Sequence, residues 1–249
     1  MIRDLINTHT LAVAHRGDPL VKPQNTESAF RSALQYDIDM IETDINMSKD
    51  GVPVIIHDQS VDHLSNGSGR VADMTLAQLK KLDFGSWMGE AFAGERIMTL
   101  DECLDLVRDT DVALNLEIKN GPVVYPDIAE KALASITDHG MNDRVIISSF
   151  DHRLIRQIKS IEPKILTAIL YHAGLIDHIA PAKDAIADGI HPEHSTVTEE
   201  LVRTAKEAGL FVNTWTVDGE DRMRKLRDMG VSGIISNLPG LLVDTIKKK

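Results

Sequence analysis

The sequence predicts an α/β fold in which parallel strands and helices alternate and the sheet closes on itself. Three observations predict it. Short β-branched runs alternate with amphipathic segments along all 249 residues. The runs are apolar almost throughout, as strands covered on both faces are. No repeat, linker or low-complexity tract interrupts them, apart from the polar end "KKK". The length alone would allow one large domain or two small ones, and 43% hydrophobic residues supply ample core for either. The unbroken alternation selects one: residues 1–249 read as a single TIM (β/α)8 barrel with a β-hairpin-containing insertion, roughly 46–98, after strand 2.

The elements follow in order. "LAVAH" (11–15) is the first strand, and "TESAFRSALQY" the first amphipathic helix, with Thr26 as its cap. "MIETDI" (40–45) is the second strand. The "SKDGV" after it is far too short for a crossover helix, so "VPVIIHD" (52–58) must return antiparallel. "VALNLEIK", "RVIISSF", "KILTAIL", "AIADGIH", "LFVNTWTV" and "SGIIS" are the remaining strands. "TLDECLDLVRD", "PDIAEKALASITDHG", "DHRLIRQIKSIEP", "TEELVRTAKEAG" and "DGEDRMRKLRDMG" are the remaining helices, several opening on Thr or Asp and closing on Gly. Nine strand candidates less the return strand leave the eight that a barrel requires.

The second strand carries Glu42 and Asp44, and the return strand ends in His57-Asp58. Unpaired charge is expensive to bury, so this apolar hairpin is built around something positive. With Asp50-Gly51 as a two-residue turn, Lys49 faces Val52 and Asp44 faces His57, with Glu42 further along the same face. The C-terminal ends of the other strands, where barrels carry their chemistry, add a consistent set. Strand alternation points His15 inward with Leu11 and Val13, groups Asn115 with Glu117 and Lys119, and groups Phe211 and Asn213 with Trp215 and Val217. Glu42, Asp44 and Glu117 form an all-oxygen cluster suited to Mg²⁺ or Ca²⁺. Arg16 and Lys119 beside it complete a receptor for phosphate. His15 and His57 can divide the base and acid roles of P–O cleavage. Taken singly, each has a plainer reading: a solvated edge pair, a loop histidine, a rim salt bridge, a barrel plug at Trp215. The plainer readings do not predict their coincidence at one rim. His191 and His194 also follow a strand, and a surface role is expected for them.

Composition narrows the partners. The net charge of −11 argues against nucleic acid and against stable association with an anionic membrane. A small anionic substrate is expected, held by local positive charge. Cys103 is alone and sits in a helical pattern, as a small buried hydrophobe does. No stretch has the length of a signal segment or a bilayer span, so a cytoplasmic location is expected. The sequence does not specify an oligomeric state.

"AHRG", "PQNTESAF", "IETDI", "KDGVPVIIHD", "NLEIK" and "NTWTV", in this order and spacing, resemble the glycerophosphodiester phosphodiesterases from about residue 11 to 240. The resemblance implies a TIM barrel and a divalent metal, Mg²⁺ or Ca²⁺, on Glu42, Asp44 and Glu117. It implies His15 and His57 as the acid–base pair, Arg16 and Lys119 on the phosphate, and Trp215 against the glycerol or alcohol. The family cleaves glycerophosphodiesters to sn-glycerol 3-phosphate and an alcohol. Two positions depart from the family pattern: Gln24 stands where it usually has Glu, and Ser236-Asn237 where it usually has Thr-Asp. Gln24 leaves open a different phosphodiester, such as a sugar phosphodiester. A pocket that binds phosphodiesters without turnover is the remaining alternative.

Overall fold

The computed structural model describes residues 2–248; of the expected 1–249 domain, Met1 and Lys249, the last residue of "KKK", lie outside the described residues. All nine expected strands form: β1 (Leu11–His15), β2 (Met40–Met47), β3 (Pro53–Ile55), β4 (Ala113–Ile118), β5 (Val145–Ser149), β6 (Leu166–Tyr171), β7 (Gly189–Pro192), β8 (Phe211–Thr214) and β9 (Gly233–Ser236). Their order is β1-β9-β8-β7-β6-β5-β4-β2-β3, and β1 also pairs with β2. Eight parallel strands therefore close into a TIM barrel, with β3 added antiparallel to the outer end of β2.

Side-chain alternation divides the core in two. Leu11, Val13, Met40, Ala113, Ile146, Leu166, Ala168, Phe211 and Ile235 pack inside the barrel. Ile2 and Ile6, on and just after the short helix α1 (Ile2–Leu5), belong to the same cluster. The intervening residues, such as Ala12, Ile41, Leu114 and Ile147, face the helices. The six expected helices are α2 (Glu27–Ala33), α4 (Leu100–Arg108), α5 (Ile128–Asp138), α6 (His152–Ile161), α8 (Glu199–Glu207) and α9 (Glu220–Met229). Three more, α3 (Leu76–Leu79), α7 (Ile179–Asp184) and α10 (Pro239–Ile246), join α1 as elements that the sequence pattern did not announce. Cys103 is buried and free on α4, as expected. The segment between β3 and α4 has a small core of its own, in which Val61, Leu64, Val71, Leu79, Phe84 and Ile97 pack on Val54 of β3 and on Ile56 just beyond it.

The hairpin differs from expectation by one residue. Its turn has three residues, not two: Ser48 N–H donates to Val52 O (2.9 Å), and Gly51 sits at φ +78°. A three-residue turn ending in a left-handed glycine shifts the register. Ile45 pairs with Ile55, and Ile56 N–H donates to Asp44 O (3.0 Å), so Asp44 lies opposite Ile56 rather than His57. Two further expectations fail. Val217 leaves the inward face after β8 and packs among the helices. His191 is wholly buried rather than superficial: it points into the barrel, its ring 5.9 Å from that of Phe211 and its Nε2 accepting from Asn213 Nδ2 (3.2 Å). The strand is too short for His191 to clear the interior.

Candidate active site

The chain leaves β1 through two left-handed residues, Arg16 (φ +56°) and Gly17 (φ +90°). A Cβ at Gly17 would lie 2.6 Å from the carbonyl carbon of Ala29, so only glycine fits there. The bend returns the Arg16 side chain to the barrel mouth, where Nε stands 3.1 Å from Asp44 Oδ2 and Nη1 donates to Gln24 Oε1 (2.6 Å). Asn25, also left-handed (φ +59°), donates from Nδ2 to Asp44 Oδ2 (2.9 Å) and accepts from the Thr43 hydroxyl (2.7 Å). Gln24 thus touches Arg16, and Asn25 fixes the orientation of Asp44.

Parallel pairing of β2 with β4 sets Glu42 beside Asn115 and Asp44 beside Glu117. One oxygen from each of Glu42, Asp44 and Glu117 lies within 4.8 Å of the others. The three are only 3%, 0% and 8% exposed. Lys119 bonds Glu117 and stands 3.0 Å from Asp44 Oδ1. Burial pushes the pKa of Glu42 well above its usual range, and Asp44 and Glu117 push it further. Burial also raises Glu117, against the pull of Lys119. Asp44 is pushed up by burial, but Lys119 and Arg16 outweigh that and hold it far below the usual carboxylate range. Among the described residues, Glu42 Oε2 and Asp44 Oδ1 are buried without a hydrogen bond. With all three carboxylates ionised, the two cations leave a negative charge uncompensated, which, with burial, is what the raised pKa values of Glu42 and Glu117 reflect. An all-oxygen set of this kind fits a hard divalent cation.

The histidines flank the cluster, each with Nδ1 tied down. His15 Nδ1 donates to Asn237 Oδ1 (2.6 Å), Asn237 in turn donates from Nδ2 to Asp218 Oδ2 (2.8 Å), and His15 Nε2 faces Glu42 Oε2 at 3.6 Å. His57 Nδ1 donates to Asp58 Oδ1 (2.6 Å). The return strand ends at Ile55, and Asn46 Nδ2 donates to the carbonyls of Ile56 (2.8 Å) and His57 (3.3 Å). His57 therefore reaches the site from beyond the strand, despite the altered register. Burial, then the Arg16 charge, lowers the His15 pKa to about 4. Burial also lowers that of His57, against the pull of Asp44.

His15, Arg16, Glu42, His57, Glu117, Lys119 and Trp215 all line one cavity of about 210 Å³, and Asp44 lies buried behind them. The eight expected residues are thus brought together. Trp215 packs on the barrel interior, donates from Nε1 to His191 O (2.8 Å), and meets Phe150 and His172 edge-on at 5.7 and 5.9 Å. Phe150 and His172 also line a groove of about 1250 Å³ that shares His57, Glu117 and Lys119 with the cavity. Sequence reasoning did not assign Phe150 or His172, although each directly follows a barrel strand, nor Asn25, Asp58 and Asn237 as partners of site residues.

A family profile described as the glycerophosphoryl diester phosphodiesterase family matches residues 15–241. The chain belongs to that family. It is a phosphodiester hydrolase of the family, as the ordered motifs implied. A glycerophosphodiester phosphodiesterase of Caldanaerobacter subterraneus subsp. tengcongensis is 42% identical over 96% of this chain and 98% of its own length. One from Bacillus subtilis is 33% identical over 93% and 84%. Among solved structures, a phosphodiesterase of Oleispira antarctica in complex with its product sn-glycerol-3-phosphate superposes with a TM-score of 0.91, at 27% identity, covering 98% of this chain and 99% of that one. No helix among the described residues is long and apolar enough to cross a membrane.

Proposed function

We propose that this chain, acting as one cytoplasmic domain, hydrolyses glycerophosphodiesters to sn-glycerol 3-phosphate and an alcohol. One observation carries the reading: two histidines with Nδ1 tied, three buried carboxylates and two cations converge on a single small cavity. The product bound by the Oleispira antarctica relative supports the same chemistry.

Arg16 and Lys119 bind the phosphoryl group and offset the charge that builds on it. Glu42, Asp44 and Glu117 would hold Mg²⁺ or Ca²⁺, which when bound polarises a non-bridging phosphate oxygen. The two histidines are unequal. Burial and the Arg16 charge outweigh the hydrogen bond to neutral Asn237, so His15 stays unprotonated and suits the base. Asp58 offers His57 a carboxylate, which favours the imidazolium, and His57 also lines the larger groove, where an alcohol has room to depart. His15 takes a proton from the attacking hydroxyl, and His57 gives one to the leaving alkoxide. Trp215 forms an apolar wall against the carbon face of glycerol.

The test is to incubate the chain with Mg²⁺ or Ca²⁺ and a panel of phosphodiesters and identify the phosphate-bearing product. Glycerol 3-phosphate, lost on chelation, is expected. A different phosphate ester, or undiminished turnover in chelator, would overturn the proposal.

A further inference from the structure

The floor of the cavity holds a polar group that the chemistry above does not use. Asn115 points inward from β4, is 1% exposed, and lines the cavity with Glu42 and Glu117. It lies in register beside Glu42 on the adjacent strand. Its Oδ1 is buried without a hydrogen bond, as is Glu42 Oε2. A buried carbonyl without a partner is unfavourable, and where one persists an ion or ordered water commonly faces it. No neighbour supplies it a hydrogen bond among the described residues, and Lys119 is engaged by Glu117 and Asp44. The other orphaned polar atoms of the barrel interior, Ser148 Oγ, His191 Nδ1 and Asn213 Oδ1, belong to residues that do not line this cavity.

Arg16 Nε, likewise buried without a hydrogen bond, is aimed at Asp44 Oδ2 (3.1 Å), and the acceptors left over at Glu42 and Asn115 call for a cation. We propose that Asn115 is a fourth protein oxygen donor to the divalent ion of Glu42, Asp44 and Glu117, and that this larger set selects Ca²⁺ over Mg²⁺. The inference rests on the metal reading above. Ca²⁺ takes six to eight oxygens, amide carbonyls included, whereas Mg²⁺ usually keeps several waters and binds one or two carboxylates.

The experiment titrates the metal-stripped chain with CaCl₂ and MgCl₂ by calorimetry. It also counts metal-bound waters from Tb³⁺ luminescence lifetimes in H₂O and D₂O. The unmodified chain is expected to bind Ca²⁺ more tightly than Mg²⁺. Asn115→Leu should weaken Ca²⁺ by roughly 10- to 100-fold, as is typical when a group supporting a metal site is lost. It should also add one Tb³⁺-bound water, which a merely structural role would not do. Asn115→Ser, with a side chain too short to keep the contact, carries the same expectation should the leucine variant not fold; melting of the metal-free proteins decides which is used. An unchanged water count with unchanged Ca²⁺ affinity would overturn the role of Asn115 alone. Tighter binding of Mg²⁺ would overturn the selectivity, and no saturable binding by the unmodified chain would overturn the metal reading as well.

Discussion

The two site imidazoles differ in the acceptor that each Nδ1–H meets, a carboxamide at Asn237 and a carboxylate at Asp58. If His57 is the acid, it works while protonated, and activity is lost as pH rises through its pKa. Asp58→Asn removes a carboxylate acceptor that, beside Asp44, favours the imidazolium, so the alkaline limb of kcat/KM should move to lower pH. A limb that stays in place would assign that titration elsewhere. His57→Ala should lower turnover of alkyl diesters by about 10²- to 10⁴-fold. It should cost much less with a p-nitrophenyl diester, whose leaving group needs no proton; an equal loss on both would remove His57 from that role. His191 makes a prediction about stability. Burial lowers its pKa to about 3, while the unfolded chain protonates near 6.5. Its contribution is therefore complete above pH 6.5 and lost as pH falls towards 3, by about 1.4 kcal/mol per pH unit. Denaturant unfolding of His191→Gln between pH 6.5 and 4 should show a slope shallower by that amount. The expected residues were legible as a group at one rim because strand alternation and rim position depend on local sequence, whereas His57 came there by a register read one residue out. Asn237 was not legible as a partner, because His15–Asn237 exists only once β9 has closed on β1; Asn25 was not, because its direction follows from a left-handed loop residue that shows no period.

At the scale of elements, the hairpin is the instructive case. The antiparallel return of β3 followed from the length of the link, but the register did not, because Asp-Gly serves both two- and three-residue turns. Gly51 decides it by taking φ +78°, and a Cβ there would stand 2.2 Å from Lys131 Nζ, which bonds the Gly51 carbonyl. Gly51→Ala should therefore destabilise the fold by roughly 1 kcal/mol or more, measured by denaturant unfolding, since the change is unfavourable where φ is positive. A neutral or stabilising result would mean that the turn relaxes to the two-residue form. The unannounced helices have physical reasons too. Helix α10, "PGLLVDTI", is apolar on most of its surface and opens on Pro-Gly, while α1, α3 and α7 span too few turns to show a period.

For the whole molecule, the succession of eight parallel strands was legible because each buries its own stretch of the continuous layer between strands and helices. The charge frustration at the barrel mouth was legible only as a cluster of residue types. A cation that binds the folded chain alone stabilises it by mass action, about 2.7 kcal/mol at a hundredfold excess over Kd. Thermal melting should therefore rise when saturating Ca²⁺ or Mg²⁺ is added to the metal-stripped chain, and the rise should be much smaller in Glu117→Gln. Equal shifts in the two proteins would place the ion elsewhere. Barrel closure has a further result in time. β1 is gripped between β2 and β9, so His15 waits for Asn237, made 222 residues later. At about 5 to 20 residues per second on a ribosome, that interval is on the order of ten to forty seconds. A nascent chain carries both histidines and all three carboxylates long before it can hold His15 in place. On the proposed chemistry, activity therefore waits until the last strand of the barrel has been made, and the same hydrogen bond marks a barrel that has closed.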